Sequence, residues 1–120
     1  MKIYAFPYKD GYYKGEVDYI DLPHGYGEWS CIDGCHYIGY WRHGEIEGNG
    51  KYVYADGSWY EGGWHNNEWW GHGIVHERDG VTYEAARWYG DRMAEDVICT
   101  YGSTRMHGKI RRGKFFSDKK

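Results

Sequence analysis

Polar and apolar residues alternate along this chain in short runs. In HYIGYW (36–41) and WYEGGW (59–64), Tyr37, Gly39 and Trp41, and then Tyr60, Gly62 and Trp64, occupy every second position. A period of two places each trio on one face of a strand. GKYVYAD (50–56) is rich in Tyr and Val and reads as a partner strand. The Asp-Gly that closes it supplies the positive φ of a tight turn into the next strand. HGEIEG (43–48) and HNNEWWG (65–71) read as the opposite loops, which puts Glu45, Glu47, Glu68 and the adjacent Trp69 and Trp70 at loop positions.

The pattern runs on a 23-residue clock. Asp-Gly recurs at Asp10-Gly11, Asp33-Gly34, Asp56-Gly57 and Asp79-Gly80. Gly25, Gly48 and Gly71 keep the same spacing, as do Gly27, Gly50 and Gly73. So do Tyr37, Tyr60, Tyr83 and Met106; Gly39, Gly62, Ala85 and Gly108; and Trp41, Trp64, Arg87 and Ile110. The repeat divides the chain into four units, 11–33, 34–56, 57–79 and 80–102, after a capping half-unit (1–10) and before a partial fifth unit (103–120). Phe6 falls in phase with Trp29, Tyr52, Val75 and Ile98. The fourth unit has Ala94 and Asp96 where the others have glycines. Irregular ends around regular middle units suit a stacked array that caps itself. Each unit is expected to be a β-hairpin, and the whole an all-β, elongated, single-layer antiparallel meander. Two strands per unit advance it by about 10 Å, for a ribbon of roughly 45 Å. Glycines inside strands weaken them unless something needs the bare backbone; here an aromatic ring from a neighbouring strand is expected to lie on it.

YIGYWRHGEIEGNGKYVYADG and YEGGWHNNEWWGHG resemble the MORN (membrane occupation and recognition nexus) repeat, Y-x-G-x-W near G-x-G at 23-residue spacing. The resemblance covers about residues 10–113 and is most specific in the second and third units. It implies a twisted antiparallel sheet with a groove along one face, acting as an interaction module. Members also accompany catalytic domains of lipid kinases and a lysine methyltransferase. No such domain accompanies the repeats in these 120 residues, so a non-enzymatic scaffold is expected.

Composition narrows the classes. Aromatics make up 20% of the chain and glycine contributes 19 residues, whereas leucine occurs once, at Leu22. A Leu-packed helical bundle is excluded, and the apolar content is too high for a disordered chain. No apolar run reaches the ~18 residues of a spanning helix. The first residues lack a signal-peptide pattern. Three cysteines cannot form a closed disulfide framework. A reducing, cytoplasmic setting is therefore expected, with cytoskeleton or membrane as the structures it would associate with.

Charge is uneven. Residues 101–120 carry +6 and the first hundred carry -9. An acidic body disfavours nucleic acid. The basic end, with Lys109, Arg111, Arg112 and Lys114 interleaved with Ile110, Phe115 and Phe116 and followed by Lys119 and Lys120, is the candidate contact for an anionic membrane surface.

The aromatic ladder is the leading candidate site. Tyr37, Trp41, Tyr60, Trp64, Tyr83 and Trp88 either only stack along the sheet or line a groove that receives a protein segment or a second copy. A single layer cannot bury rings on both faces, so Trp69 and Trp70 join the set as a clustered pair with one ring accessible. Cys31, Cys35 and His36 make half a zinc site at best, and His72 and His76 lie four apart in a segment that reads as strand. No metal or cofactor is expected. No nucleophile elbow or phosphate loop is present, so no catalytic residue is assigned. The alternatives to a peptide-binding scaffold are a peripheral binder of anionic phospholipid and a structural subunit of a cytoskeletal or viral assembly.

Overall fold

The computed structural model describes residues 3–118, so Lys119 and Lys120 of the basic end, and the first two residues of the leading half-unit, lie outside it. Eleven strands form one open antiparallel sheet in sequence order. They are β1 (Tyr4–Tyr8), β2 (Gly11–Val17), β3 (Pro23–Cys31), β4 (His36–Arg42), β5 (Glu45–Val53), β6 (Trp59–His65), β7 (Glu68–His76), β8 (Thr82–Tyr89), β9 (Ala94–Tyr101), β10 (Thr104–Arg111) and β11 (Lys114–Ser117). Every hairpin pairs with the next, and the body measures 53 × 23 × 23 Å. Among the described residues no helix is long and apolar enough to cross a membrane.

The turns alternate in kind. Gly34, Gly57 and Gly80 take φ of +98°, +93° and +95° after their aspartates, as the Asp-Gly pairs require. At the other end of the second and third units the connection is only two residues long, whereas the first and fourth units use the longer loops 18–22 and 90–93. His43-Gly44 and Asn66-Asn67 both have positive φ at both positions, the geometry of a type I′ hairpin turn. The strands β5 and β7 therefore start at Glu45 and Glu68, and Glu47, Trp69 and Trp70 are strand residues rather than loop residues.

The two glycines of G-x-G have different tasks. The pairing register of β4 with β5 shifts between Gly39↔Gly50 and Trp41↔Ile46, and that of β6 with β7 shifts between Gly62↔Gly73 and Trp64↔Trp69. The first glycine sits in this bulge, with φ of +85° at Gly48. The second is a seat. A Cβ on Gly50 would overlap the ring and hydroxyl of Tyr37, and one on Gly73 those of Tyr60. The tyrosine then reaches over the bulge: Tyr37 donates to Tyr40 O at 2.9 Å and Tyr60 to Gly63 O at 3.0 Å.

Tryptophan joins one unit to the one before. Trp41 Nε1 donates to Gly27 O at 3.3 Å, Trp64 to Gly50 O at 3.0 Å and Trp88 to Gly73 O at 2.9 Å. The rings alternate edge to face along the sheet. Tyr37 meets Trp41 at 5.4 Å and 88° and Trp64 at 5.6 Å and 81°; Tyr60 meets Trp64 at 5.3 Å and 86° and Trp88 at 6.1 Å and 88°. Such geometry adds about 0.5–1.5 kcal/mol per pair beyond burial.

The fourth unit departs from the clock. Trp88, not Arg87, pairs with Gly71 as Trp64 pairs with Gly48. One extra residue in β8 carries this slip, at a register shift between Gly71 and Gly73 of β7. Ala85 then faces Val97, and Tyr83 faces Cys99 rather than Ile98. Val97 thus occupies the seat that glycine fills elsewhere.

The cysteines also differ from expectation. Cys31 and Cys35 form a disulfide with Cα atoms 5.2 Å apart, and Cys99 is free and buried. The pair flanks the Asp33-Gly34 turn, whose Cys31 N–H already bonds Cys35 O at 3.0 Å. The turn brings the sulfurs together, so an odd count did not exclude one local bridge, and neither sulfur remains for zinc.

Candidate functional site

The rings of the ladder sit at different depths. Tyr37 and Tyr60 are fully enclosed and Trp88 nearly so, while Trp41 and Trp64 keep 6% of their surface exposed. A partner on this face can touch Trp41 and Trp64 only at their edges. Tyr83 is half-buried against Phe115, with ring centroids 5.9 Å apart. Trp69 lies on the core face, stacked on Tyr60 at 4.5 Å and 4°. Trp70 points the other way and is 43% exposed, edge-on to Tyr89 at 5.5 Å. The candidates therefore divide between two faces.

On the core face the sheet curls around a groove of about 400 Å³. Its floor is Trp41, Ile46 and Trp64; its walls are Tyr8, Trp29, Tyr52, Tyr54 and Trp69; and Lys9, Asn67, Glu68 and Asp91 stand at the rim. The wall rings are half-buried. Tyr52 and Tyr54 lie 4.6 Å apart at 32°, and Trp69 stands against Tyr54 at 6.4 Å and 62°. Every indole N–H in the groove is already donated: Trp29 to Tyr8 O at 2.8 Å, Trp69 to Tyr54 Oη at 2.9 Å, and Trp41 and Trp64 to the glycine carbonyls. Burial pushes the Tyr54 hydroxyl up to about 12, with the charges of Asp91 and Asp56 adding to it against the Trp69 hydrogen bond. Burial likewise raises Tyr8, helped by Glu45 and Asp18.

Sequence reading missed the walls Tyr8, Trp29, Tyr52 and Tyr54, although Trp29 and Tyr52 share a phase. It also missed the rim. Glu45, Glu68 and Asp91 are spaced 23 apart, an acidic series on the same clock as the aromatics.

The basic end splits as well. Ile110 faces Phe115, and Lys109 faces Phe116, and residues opposite one another share a face. Ile110 and Phe115 thus pack with the core, while Lys109, Lys114 and the 50% exposed Phe116 look outward. Arg112 is at a turn with φ of +56°. Arg111 is held by Glu95 and by Ala94 O at 3.1 Å.

Several histidines pair with carboxylates along the turns. His65 Nδ1 lies 2.9 Å from Glu47, and this hydrogen bond, with one from Asn66 N–H, holds the Glu47 carboxyl below its usual range despite partial burial. Asp18, His24 and His43 form a cluster with ligand atoms within 4.8 Å of one another, a donor set suited to a transition metal. Each is already engaged. His24 Nδ1 accepts the His43 N–H at 3.0 Å, and His43 Nδ1 lies 2.7 Å from Asp18. One unit later Glu47 stands at the His24 position and accepts the Asn66 N–H at 3.2 Å. The His24 contact is thus the repeat's way of tying a turn to the preceding unit. On the outer face Ser30 Oγ lies 3.0 Å from His36 Nδ1, and His36 lies 3.6 Å from Glu28.

Comparison with curated proteins finds no match. Among protein families, the MORN repeat matches three consecutive segments, residues 19–36, 37–59 and 60–81. They cover just over half of the chain. With three tandem matches on a meander of hairpins, the chain belongs to the MORN repeat family.

Proposed function

We propose that this MORN-repeat chain is a non-enzymatic scaffold that holds a protein segment, supplied by another protein or by a second copy, in the groove of its aromatic face. MORN repeats are repeat scaffolds of protein and membrane interactions. The observation that carries the finer reading is the set of half-buried rings, Tyr52, Tyr54 and Trp69, around an open volume of about 400 Å³. Rings needed only for stability would be covered, as Tyr37 and Tyr60 are. Amphipathic aromatics left open at a groove are what a binding anchor requires. The test compares Tyr54→Leu and Trp69→Leu with an outer-face control, Tyr40→Ala. Sedimentation measures self-association, affinity capture measures a partner, and a melting curve accompanies each. Binding lost by the groove variants at normal melting temperature, and kept by the control, is the expected result. Binding kept by both groove variants overturns it.

The second reading is an anionic phospholipid surface at the outward Lys109, Lys114 and Phe116, with Arg112 at the turn. Its support is that an exposed phenylalanine shares a face with two bases. Each base near such a surface contributes about 1 kcal/mol. Co-sedimentation with phosphatidylserine vesicles should weaken steeply with salt and be lost in Lys109→Ala/Lys114→Ala. Its absence at low salt eliminates this reading.

A further inference from the structure

The groove lies where one repeat position loses its ring. Tyr8, Cys31 and Tyr54 hold the same place in successive units, two residues before the turn aspartates Asp10, Asp33 and Asp56. The backbone agrees: Cys31 N–H bonds Cys35 O at 3.0 Å, as Tyr54 N–H bonds Ser58 O at 2.8 Å. Tyr8 and Tyr54 are both walls of the groove. At the place between them the side chain is that of Cys31, tied across its turn to Cys35. The middle tyrosine of the row is missing.

Tyr8 and Lys9 show how such a place is filled. The Tyr8 ring stands edge-on to Trp41 at 6.4 Å and 80°, and its hydroxyl donates to Gly44 O at 3.0 Å. Lys9 reaches Glu45 at 3.8 Å. One unit on, the receiving groups become Trp64, Asn67 and Glu68, and all three line the groove. Gly44 and Asn67 match in structure too, since their N–H groups bond Pro23 O and Ile46 O in the same way. The residues that should meet them are Cys31 and Ile32, which bring neither a phenol nor a charge. Glu68 accordingly stands exposed, without an ion pair or hydrogen bond among the described residues. Asp91 is in the same position, because Ala55 stands to it as Lys9 stands to Glu45.

From this arrangement we infer that the groove is the seat of a missing tyrosine–lysine pair, and that a segment of a partner protein supplies it: a tyrosine against Trp64 and Asn67 O, followed by a basic residue whose cation meets Glu68 and Asp91. Trp64 offers only its edge, and an indole edge is what meets the face of a second ring. The two rim carboxylates accept the N–H groups of an ordinary ammonium or guanidinium. A second copy does not provide the pair. Tyrosine is followed by lysine only at Tyr8-Lys9, already seated in the groove of its own chain, and at Tyr13-Lys14, whose ring is fully buried. The inference rests on the groove being the contact site. It adds the chemistry that the segment presents there.

The test uses the full chain and three short peptides in one Gly-Ser frame that differ only at two adjacent positions: Tyr-Lys, Ala-Lys and Tyr-Gln. Tryptophan fluorescence and calorimetry measure affinity. The Tyr-Lys peptide should bind about ten-fold more tightly than Ala-Lys, the effect of an aromatic anchor. It should bind about three-fold more tightly than Tyr-Gln at low salt, the modest gain of an exposed ion pair. The double variant Glu68→Gln/Asp91→Asn should erase the second difference without shifting the melting temperature, because both side chains are exposed and unpaired. Filling the seat from within is the converse arm. Cys31→Tyr/Ile32→Lys/Cys35→Ser should lose the preference for Tyr-Lys over Ala-Lys that Cys31→Ser/Cys35→Ser keeps. Equal binding of Ala-Lys means acidic docking alone, equal binding of Tyr-Gln means an apolar slot, and a filled variant that keeps the preference puts the seat elsewhere; each overturns the inference. Binding of no peptide overturns it too. If none binds while Trp69→Leu still abolishes self-association or partner capture, the groove reading stands and only the missing pair falls. If Trp69→Leu leaves those unchanged, the groove reading falls with it.

Discussion

The second and third units and the fourth unit solve one packing problem in two ways. In the regular units a tyrosine lies down on the bare backbone of the next strand, and the seat is Gly50 or Gly73. In the fourth unit the seat is Val97, which is 1% exposed and faces Ala85. Tyr83 cannot lie there, and it remains half-buried against Phe115. The core continues with Ala85, Ala94, Val97 and Ile110 instead of rings. Glycine and tyrosine are thus one device: where the glycine is lost, the tyrosine loses its place. The aliphatic version still builds a sheet, so the meander does not itself require an aromatic ladder. The groove lies along the aromatic stretch, bounded by side chains from Tyr8 to Asp91.

The largest effect should come from removing strands. Deleting 57–79 joins Asp56 to Gly80, restores an Asp-Gly turn and keeps every hairpin paired. Deleting 57–68 removes β6 and both its turns, and should abolish cooperative unfolding. Equal β content and solubility by circular dichroism for both deletions would refute the 23-residue unit. Next comes the seat itself. Gly50→Val should cost about 3 kcal/mol or more, since overpacking displaces the Tyr37 ring. Val97→Gly should cost less, about 2 kcal/mol, by leaving a hole and loosening the strand. Denaturant midpoints read both, and a wild-type midpoint for Gly50→Val would break the comparison.

Alkaline titration probes the same contrast more gently. Burial raises Tyr13 to about 12, with the charge of Glu16 adding to it, and Tyr37 and Tyr60 are raised further by burial. A raised folded value means that the fold holds the neutral form. The stability is therefore complete below pH 10, the ordinary tyrosine value, and declines as pH passes about 12. Tyrosinate absorbance from these residues should appear together with loss of the β signal. Full ionisation with an intact β signal would contradict the enclosed ladder. The smallest effect is Glu47→Gln, about 0.5 kcal/mol. Because the carboxyl of Glu47 is lowered, its contribution is present above the usual carboxylate range and is lost as pH falls below it. The difference in melting temperature between wild type and variant should therefore close in acid.

The repeat length, the turn positions and the face assignments were legible before any coordinates, because turn chemistry and strand parity act over a few residues. Asp-Gly sets its turn whatever surrounds it, and Tyr37 and Tyr40 face opposite ways by count alone. Depth and register were not legible. That Trp88 replaces Arg87 depends on one extra residue in β8, opposite Gly71 and Gly73, and no periodic count can place a bulge. Whether a ring is covered depends on what stands thirteen or fourteen residues away: glycine beneath Tyr37, valine beside Tyr83. The disulfide needed the Asp33-Gly34 turn to bring Cys31 and Cys35 to 5.2 Å. The groove needed the sheet to curl, so that Glu68 and Asp91, merely in phase along the chain, stand together at one rim. Sequence determined the unit because its forces are local; tertiary structure decided the site because a groove forms only when neighbouring units pack.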